Sequence, residues 1–547
     1  MVGGLLNLVA VGNQNIILNG NPQKTYWSST YKRITNFGMQ NFRLDYEGLR
    51  QLAPTTETNY TFKVKRYAEL LMDTYFVMQL PDIYSPIYAN QTSNQWVPYE
   101  FKWIKNLGAM MIKSIKFTIG GNLIQQITGT DIVLLANRDL SATQKKKWDD
   151  MIGNTPDLYD PANALGRNNQ YPNVAYNAGV IPEPSIRGRQ LRIPLPVWWG
   201  FTSQQAFPLV ALQYNILQIE ITIRPLKELY QIKNILDSVN SYPVIAPNLS
   251  ILEHQFYRFI QPPPNVELTY TTLNNNWNEN THLSCQYCFL SEEEAKLFAI
   301  QPQKYLVKEY HQSVFTNVAI ADKLWLQNST GLVLNWMFLF QRSDVNLRNE
   351  WSNYTNWEYD YVPKPITLLP TTMKRGPYTI NGYGASPLDG SLTMLYGTGD
   401  LHAENQKNIL LQFGITFDGA VREEMRSSSI YLQDQQYLVS EGYGSTGLDG
   451  LYTYNFALKT SPFILQPSGA INLSKFSKIE LEFTTITPPL DPDSTYLTIC
   501  DPELNQQIGV NKAAYKVYTY NYNVYVLEER YNILTFLSGN AGMMNAR

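Results

Sequence analysis

The sequence predicts an all-β chain of two consecutive eight-stranded antiparallel jelly rolls, with long loops and a few short helices. Three observations carry this. Several segments alternate strictly between apolar and polar residues, the period of a strand with one buried face. Two of those segments, QIEITIR (218–224) and KIELEFT (478–484), repeat one pattern in the two halves of the chain, each after a proline-containing turn. Finally, 547 residues exceed what a single core supports, and a hydrophobic content of 44% is enough to fill more than one.

The elements follow in order. Ile115, Phe117 and Ile119 face one way, with Lys116 and Thr118 opposite, before a Gly-Gly hairpin turn. Leu217, Ile219, Ile221 and Ile223 alternate with Gln218, Glu220, Thr222 and Arg224. In the second half, Pro467 and Gly469 mark a tight turn. The chain then enters Ile479, Leu481 and Phe483, alternating with Lys478, Glu480 and Glu482. IKSIKFTIGG and LNWMFLFQRS each read as a strand before a turn and suggest a second repeated pair. Helical pattern is rare. Ser291 with Glu294, and Ser141 with Gln144, stand in capping-box spacing at the head of short connecting helices. These signals place a first roll over residues 25–226, a linker over 227–248 broken by Pro243 and Pro247, a second roll over 249–530 and a tail over 531–547. Residues 153–190 and 353–399 read as long loops, an unusual length that points to a function at the exterior.

Composition narrows the function. Charged residues make up 16% of the chain, below the roughly 25% usual for soluble domains. With 38 Tyr and 11 Trp, this suits either extensive interfaces or simply a strand-rich interior. A formal net charge of −3 argues against direct nucleic-acid binding by the folded body. The 3 Cys do not form a disulfide scaffold and suit a reducing compartment such as cytosol. The apolar start MVGGLLNLVAVGNQNIIL is broken by Asn13, Gln14 and Asn15 and is short for a membrane span.

No constellation for catalysis stands out, and no cofactor, metal or catalytic residue is assigned. The 4 His are scattered at His254, His282, His311 and His402. Cys285 and Cys288 form a C-x-x-C without a second pair, and residues three apart on a strand face opposite sides. Lys145, Lys146 and Lys147 read as a solvated helix face. Sequons occur at about the rate chance provides. Asn353, Asn328 and Asn90 are carried forward as candidate glycosylation positions. The Trp198-Trp199 pair and the aromatics over 515–525 are candidates for core or interface.

One stretch says more. Tyr454, Phe456, Ala457 and Leu458 are followed by Gln466, Pro467, Ser468 and Gly469, then by Asn472 and Ser474 and an alternating strand. Elsewhere along the chain stand GNPQKTYW (20–27), the L-P at Leu80 and Pro81, WIKNLGAMMIKSIKFTIGGNLI (103–124), LRIPLPVWWG (191–200), WMFLFQRSDVNLRNEWSNYTNW (336–357) and YNILTFLSGNAGMM (531–544). Together, in this order, they resemble the major capsid proteins of nucleocytoplasmic large DNA viruses, the double jelly-roll family, and most of all those of large algal and protist viruses.

The resemblance implies a structural role rather than an enzyme. It implies a homotrimer forming a pseudo-hexagonal capsomer, and contacts with neighbouring capsomers and with minor capsid and penton proteins. It also implies residence in the virion after assembly in the host cytoplasm. Residues 1–24 are then an arm under the shell, touching an inner membrane or minor proteins. The alternative from another class is a jelly-roll attachment or glycan-binding protein on a virion surface.

Overall fold

A computed structural model describes residues 35–89, 96–235, 243–266, 269–357, 359, 378–380, 383–385, 395–396, 407–442, 444–486, 497–500, 507–511 and 520–545. The first 38 residues form one unit and the remainder of the chain another. The expected arm and most of the loop over 353–399 lie outside the described residues, and three short strands within 378–396 pair into a small sheet.

The first roll is built from β1 (Phe37–Leu44), β2 (Thr58–Lys63), β3 (Leu70–Gln79), β4 (Ile112–Ile119), β5 (Asn122–Ile127), β6 (Gln190–Pro194), β7 (Phe207–Pro208), β8 (Leu217–Ile223) and β9 (His282–Leu290). One sheet runs β1-β9-β3-β7, with β6 also on β3, and the other runs β2-β8-β4-β5. The second roll repeats this with β10 (Gln303–Val318), β11 (Ala321–Trp325), β12 (Leu332–Arg342), β13 (Leu410–Phe417), β14 (Ala420–Ser427), β15 (Tyr452–Asn455), β16 (Ile471–Asn472), β17 (Ile479–Thr485) and β18 (Tyr522–Leu537). Its sheets run β10-β18-β12-β15, with β16 on β12, and β11-β17-β13-β14. An additional β19 (Asn540–Met543) folds back on β18. Strand for strand, β1 to β9 correspond to β10 to β18. Each half is a jelly roll, and the pair makes the double jelly roll.

The alternating segments do what their period requires. In β8, Leu217, Ile219, Ile221 and Ile223 are buried while the residues between them stay partly wet. β17 shows the same pattern at the equivalent central position of its sheet. β4 and β5 are joined by Gly120-Gly121 and β13 and β14 by Asp418-Gly419, all with positive φ, the geometry of a two-residue primed turn. A Cβ at Gly120 would lie 2.5 Å from the Asn215 side-chain amide, which would have to move.

Four expectations are corrected. The second repeated pair was misaligned: IKSIKFTIGG is β4, whose counterpart is β13, and LNWMFLFQRS is β12, whose counterpart is β3. Residues 227–248 are not a linker. Tyr230–Lys233 pairs with Phe101–Trp103 and buries Tyr230 and Ile232 over one end of the first roll. The first roll continues past 226 to β9, which pairs with β3, so the joint is the helix Glu292–Ile300 between β9 and β10. The tail from 531 begins inside β18, where Leu534 and Phe536 alternate into the core.

Two helices after β5 complete the first roll, α1 (Gly129–Asp139) and α2 (Ala142–Ile152), and the joint is α3 (Glu292–Ile300). α2 and α3 were expected from their caps. At α2 the Ser141 N–H donates to Gln144 Oε1 at 3.1 Å. α1 was not expected. Its own capping box joins Thr128 and Asp131 ahead of the apolar run 132–136. With β6 and β7, and likewise β15 and β16, counted as one interrupted strand, successive strands alternate in direction. The long connections after β3, β5, β8, β12, β14 and β17 therefore fall at one end, and the Gly120-Gly121 and Asp418-Gly419 turns at the other.

Candidate functional site: the seam between the two rolls

Among the described residues no pocket collects a convergent set of reactive groups, and no three His, Cys, Asp or Glu side chains are placed to hold a metal. Cys285 lies in the core of the first roll and Cys288 in a small cluster on the opposite side of the strand. Burial pushes the Cys285 thiol up to about 12. The chemistry of this chain is concentrated instead where its two rolls meet.

The apolar core of the first roll runs without a break into the second. Met337 and Leu339 of β12, and Leu527, Leu534 and Phe536 of β18, point out of the second roll and belong to the first roll's cluster. Their neighbours Trp336, Phe338 and Phe340 point the other way, into the second roll's own core. β12 is therefore buried on both faces, which is why WMFLF reads as a continuous apolar run. The Trp198-Trp199 pair lies at this seam. Trp198 packs on Tyr305 with ring centroids 5.1 Å apart, and Phe207 packs edge-on against Phe536 at 5.4 Å. Such pairs contribute about 0.5–1.5 kcal/mol each beyond the area they bury. Of the C-terminal aromatics, Tyr520 and Tyr522 are core residues of the second roll.

A buried charge cluster pins the middle of the seam. Arg138, near the end of α1, donates through Nη1 to Glu529 Oε2 at 2.7 Å and to Asn335 Oδ1 at 3.2 Å. Its Nε and Nη2 donate to the two carboxylate oxygens of Asp139, both at 2.8 Å. Lys308 of β10 reaches the other Glu529 oxygen at 3.2 Å and also donates to the Thr460 carbonyl at 2.7 Å. Burial pushes the Glu529 carboxyl up, but Arg138 and Lys308 outweigh it and hold the group below its ordinary value. Sequence reasoning missed this cluster. The signal was present in LEERY, where three consecutive charges interrupt a strand that is otherwise apolar.

Both ends are tied as well. At the short-turn end, the N–H groups of Gln213 and Tyr214 donate to the Gly539 carbonyl at 2.9 and 3.1 Å, and Asn215 Nδ2 donates to Asn540 Oδ1 at 2.9 Å. At the long-loop end, Asn349 Nδ2 donates to the carbonyls of Lys227 and Tyr230, and Trp351 Nε1 donates to that of Glu228 at 2.9 Å. The Arg224 guanidinium lies 4.3 Å over the Trp351 ring. This end belongs to the RSDVNLRNEWSNYTNW stretch, which folds as a buried polar block. There Asp344 accepts from Arg342 at 2.6 Å and Arg348 at 3.0 Å, and these cations hold its carboxyl low against the effect of burial. Arg342 also stacks 3.7 Å from the Tyr520 ring.

The same block holds one of the glycosylation candidates. Asn353 is buried, its Oδ1 accepting from the Thr355 N–H at 3.0 Å and its Nδ2 donating to the Trp357 carbonyl at 3.0 Å. It is a turn residue inside this block. Asn328 is exposed in a left-handed turn. Asn90 lies outside the described residues. In the basic run, Lys145 is largely buried against Trp148 and paired with Asp149 at 2.6 Å, leaving Lys146 and Lys147 exposed.

The motif over 454–474 is turn hardware. Ser468 Oγ accepts from the Lys459 N–H at 2.9 Å and donates to the Lys459 carbonyl at 2.8 Å, closing the loop between β15 and β16. Asn472 Oδ1 accepts from the Ser474 N–H at 3.1 Å, and Ser474 Oγ accepts from the Gly331 N–H at 2.8 Å.

Comparison with known proteins bears on this architecture. Residues 25–254 match the family model for the major capsid protein N-terminus. A major capsid protein of Phaeocystis pouchetii virus is 22% identical over 99% of both chains, and one of Paramecium bursaria Chlorella virus 1 is 24% identical over 100% of both. The chain belongs to the major capsid protein family of large DNA viruses. The fold agrees over the same span. A quasi-atomic model of the PBCV-1 virus capsid superposes with a TM-score of 0.59 at 16% identity, covering 96% of this chain and 100% of that one. In a major capsid protein, a seam sealed by apolar packing, buried charge and ties at both ends has a clear use. It makes two rolls behave as one block, whereas domains joined by small polar contacts move by default.

Proposed function

We propose that three copies of this chain associate into a trimeric capsomer of near-hexagonal outline, the tile of an icosahedral shell. The chain is a major capsid protein, a structural and non-enzymatic component of the virion capsid of a large double-stranded DNA virus. The observation that supports the finer reading is the strand-for-strand duplication, with both rolls held in one block by the seam. Three such chains give six similar rolls around a threefold axis, a unit that packs with six neighbours while keeping closed symmetry. The long loops at one end and short turns at the other suit a tile with an elaborated outside and a flat inside. On this reading neighbouring capsomers, minor capsid proteins and penton proteins meet its sides and base, assembly takes place in the host cytoplasm, and residues 1–24 reach beneath the shell to a membrane or to minor proteins. Asn328 and Asn90 stay candidates for a glycan.

Sedimentation of the purified protein tests the trimer. The expected species is three times the 62.7 kDa chain and persists on dilution. A monomer at all concentrations contradicts the proposal.

A further inference from the structure

We infer that a cavity at the long-loop end of the seam is a binding site for a neutral sugar. The inference goes beyond the structural role and does not depend on the trimer.

Over most of its length the seam is closed by apolar packing and ion pairs. At the long-loop end it opens into a cavity of about 380 Å³. That size lies within the roughly 300–1,000 Å³ of small-ligand pockets, which favour the junction of two domains. An unfilled void forfeits packing contacts, so a joint that served rigidity alone would close here as it does at Trp198 and Phe536.

Both rolls build the walls. Lys102 and Gln231 of the first roll and Glu350 of the second line the cavity and are buried. Gln231 Nε2 donates to Glu350 Oε1 at 2.8 Å, which bonds one roll to the other across it. Nearer to solvent, Lys407 pairs with Asp449, whose side chain is 44% exposed. The Lys105 ammonium lies 5.9 Å from the centre of the Tyr159 ring. Next to that ring, Asp160 accepts from Asn163 Nδ2 at 3.0 Å. Beside the cavity, the bonds from Asn349 to the Lys227 and Tyr230 carbonyls and from Trp351 to that of Glu228 fix both walls before a ligand arrives, which lowers the ordering cost of binding.

The lining selects the class of ligand. Lys102, Lys105 and Lys407 stand against Asp160, Glu350 and Asp449, so the charges balance. A phosphate or carboxylate ligand would meet as many like charges as opposite ones. A sugar uses both kinds, because each hydroxyl gives one proton and accepts at two lone pairs. The carboxylates take its protons and the ammonium groups donate to its oxygens. The Tyr159 ring and Leu448 supply the apolar wall that the C–H face of a pyranose requires.

Saturation-transfer difference NMR on the purified protein tests this, with D-glucose, D-galactose, D-mannose and N-acetyl-D-glucosamine as probes. At least one of them receives saturation at its ring C–H protons, with a dissociation constant in about the millimolar range expected of so small a ligand. Asp449→Ala and Lys105→Met, on opposite walls, each weaken binding at least about tenfold, the effect of losing one charge-assisted hydrogen bond, and leave the near-ultraviolet circular dichroism unchanged. Lys296→Ala, on the exposed side of α3, leaves binding unaltered. Inorganic phosphate does not displace the sugar. The inference is overturned if none of the four sugars receives saturation, if both wall variants bind as the unaltered protein does, or if phosphate competes, which marks an anion site. Sedimentation of the same samples reports the trimer separately: a trimer that binds no sugar overturns the inference alone, and a monomer that binds sugar overturns the trimer alone.

Discussion

Replacing Arg138 by methionine removes the centre of the seam charge cluster while keeping most of the side-chain volume. In the folded chain Arg138 is 1% exposed and makes two hydrogen bonds to Asp139, two to Glu529 and one to Asn335. Without it, Glu529 keeps Lys308 at 3.2 Å, but Asp139 is left buried without the cation bonded to it. Breaking a buried ion pair from one side costs about 3–5 kcal/mol, because the stranded charge keeps its desolvation penalty. At about 2–4 °C per kcal/mol for a cooperative unit of roughly 150–250 residues, the melting temperature falls by about 6 °C or more. Urea unfolding at pH 7 measures the loss as a lower midpoint at unchanged slope. The partner experiment replaces Arg138, Asp139 and Glu529 together by methionine and leucine. Apolar residues that fill the space of a buried ion cluster are often neutral or stabilising, so this variant recovers most of the loss. A shift below about 0.5 kcal/mol for Arg138→Met refutes the reasoning, since it means the cluster does not bind the rolls together.

Two further outcomes follow from single residues. Asp131 is fully buried in the α1 capping box, and burial raises its carboxyl to about 6 despite the bonds from Thr128. A carboxyl raised on folding binds its proton more tightly in the native state, so its cost to stability grows as pH climbs from the unfolded value of 3.8 to about 6 and is relieved below that window. Asp131→Asn therefore removes a loss of stability between about pH 4 and pH 6, worth about 1.4 kcal/mol per pKa unit. Parallel unfolding curves for the two proteins across that range would exclude this role. Asn353→Ala strands the Thr355 N–H and the Trp357 carbonyl inside the polar block and costs about 1–3 kcal/mol per unsatisfied group. Intact-peptide mass spectrometry finds no sugar at Asn353, and a glycan there would show that the block is open.

The sequence was most readable where period and geometry coincide. QIEITIR and KIELEFT proved to be β8 and β17, central strands at equivalent sites, because one wet face and one dry face leave a period of two that nothing else mimics. The caps Ser141 and Ser291 located α2 and α3 for a similarly local reason. What stayed hidden depends on non-local burial. β12 is dry on both faces, so LNWMFLFQRS shows no alternation and was paired with β4 instead of β3. Tyr230 and Ile232 look like any short apolar run until Phe101 and Trp103 are known to lie beside them. Arg138 and Glu529 meet from sites 391 residues apart, which no local pattern encodes. Asn353 satisfies a sequon equally well as a surface acceptor or as a buried turn, and only its partners decide.

The most direct measurement of the central claim is a negative-stain image of the purified protein viewed down its axis. The account predicts a compact particle of six similar lobes in a near-hexagonal outline with three raised corners. Single lobes, or pairs of lobes at varying angles, would show that neither the fixed seam nor the ring of three exists.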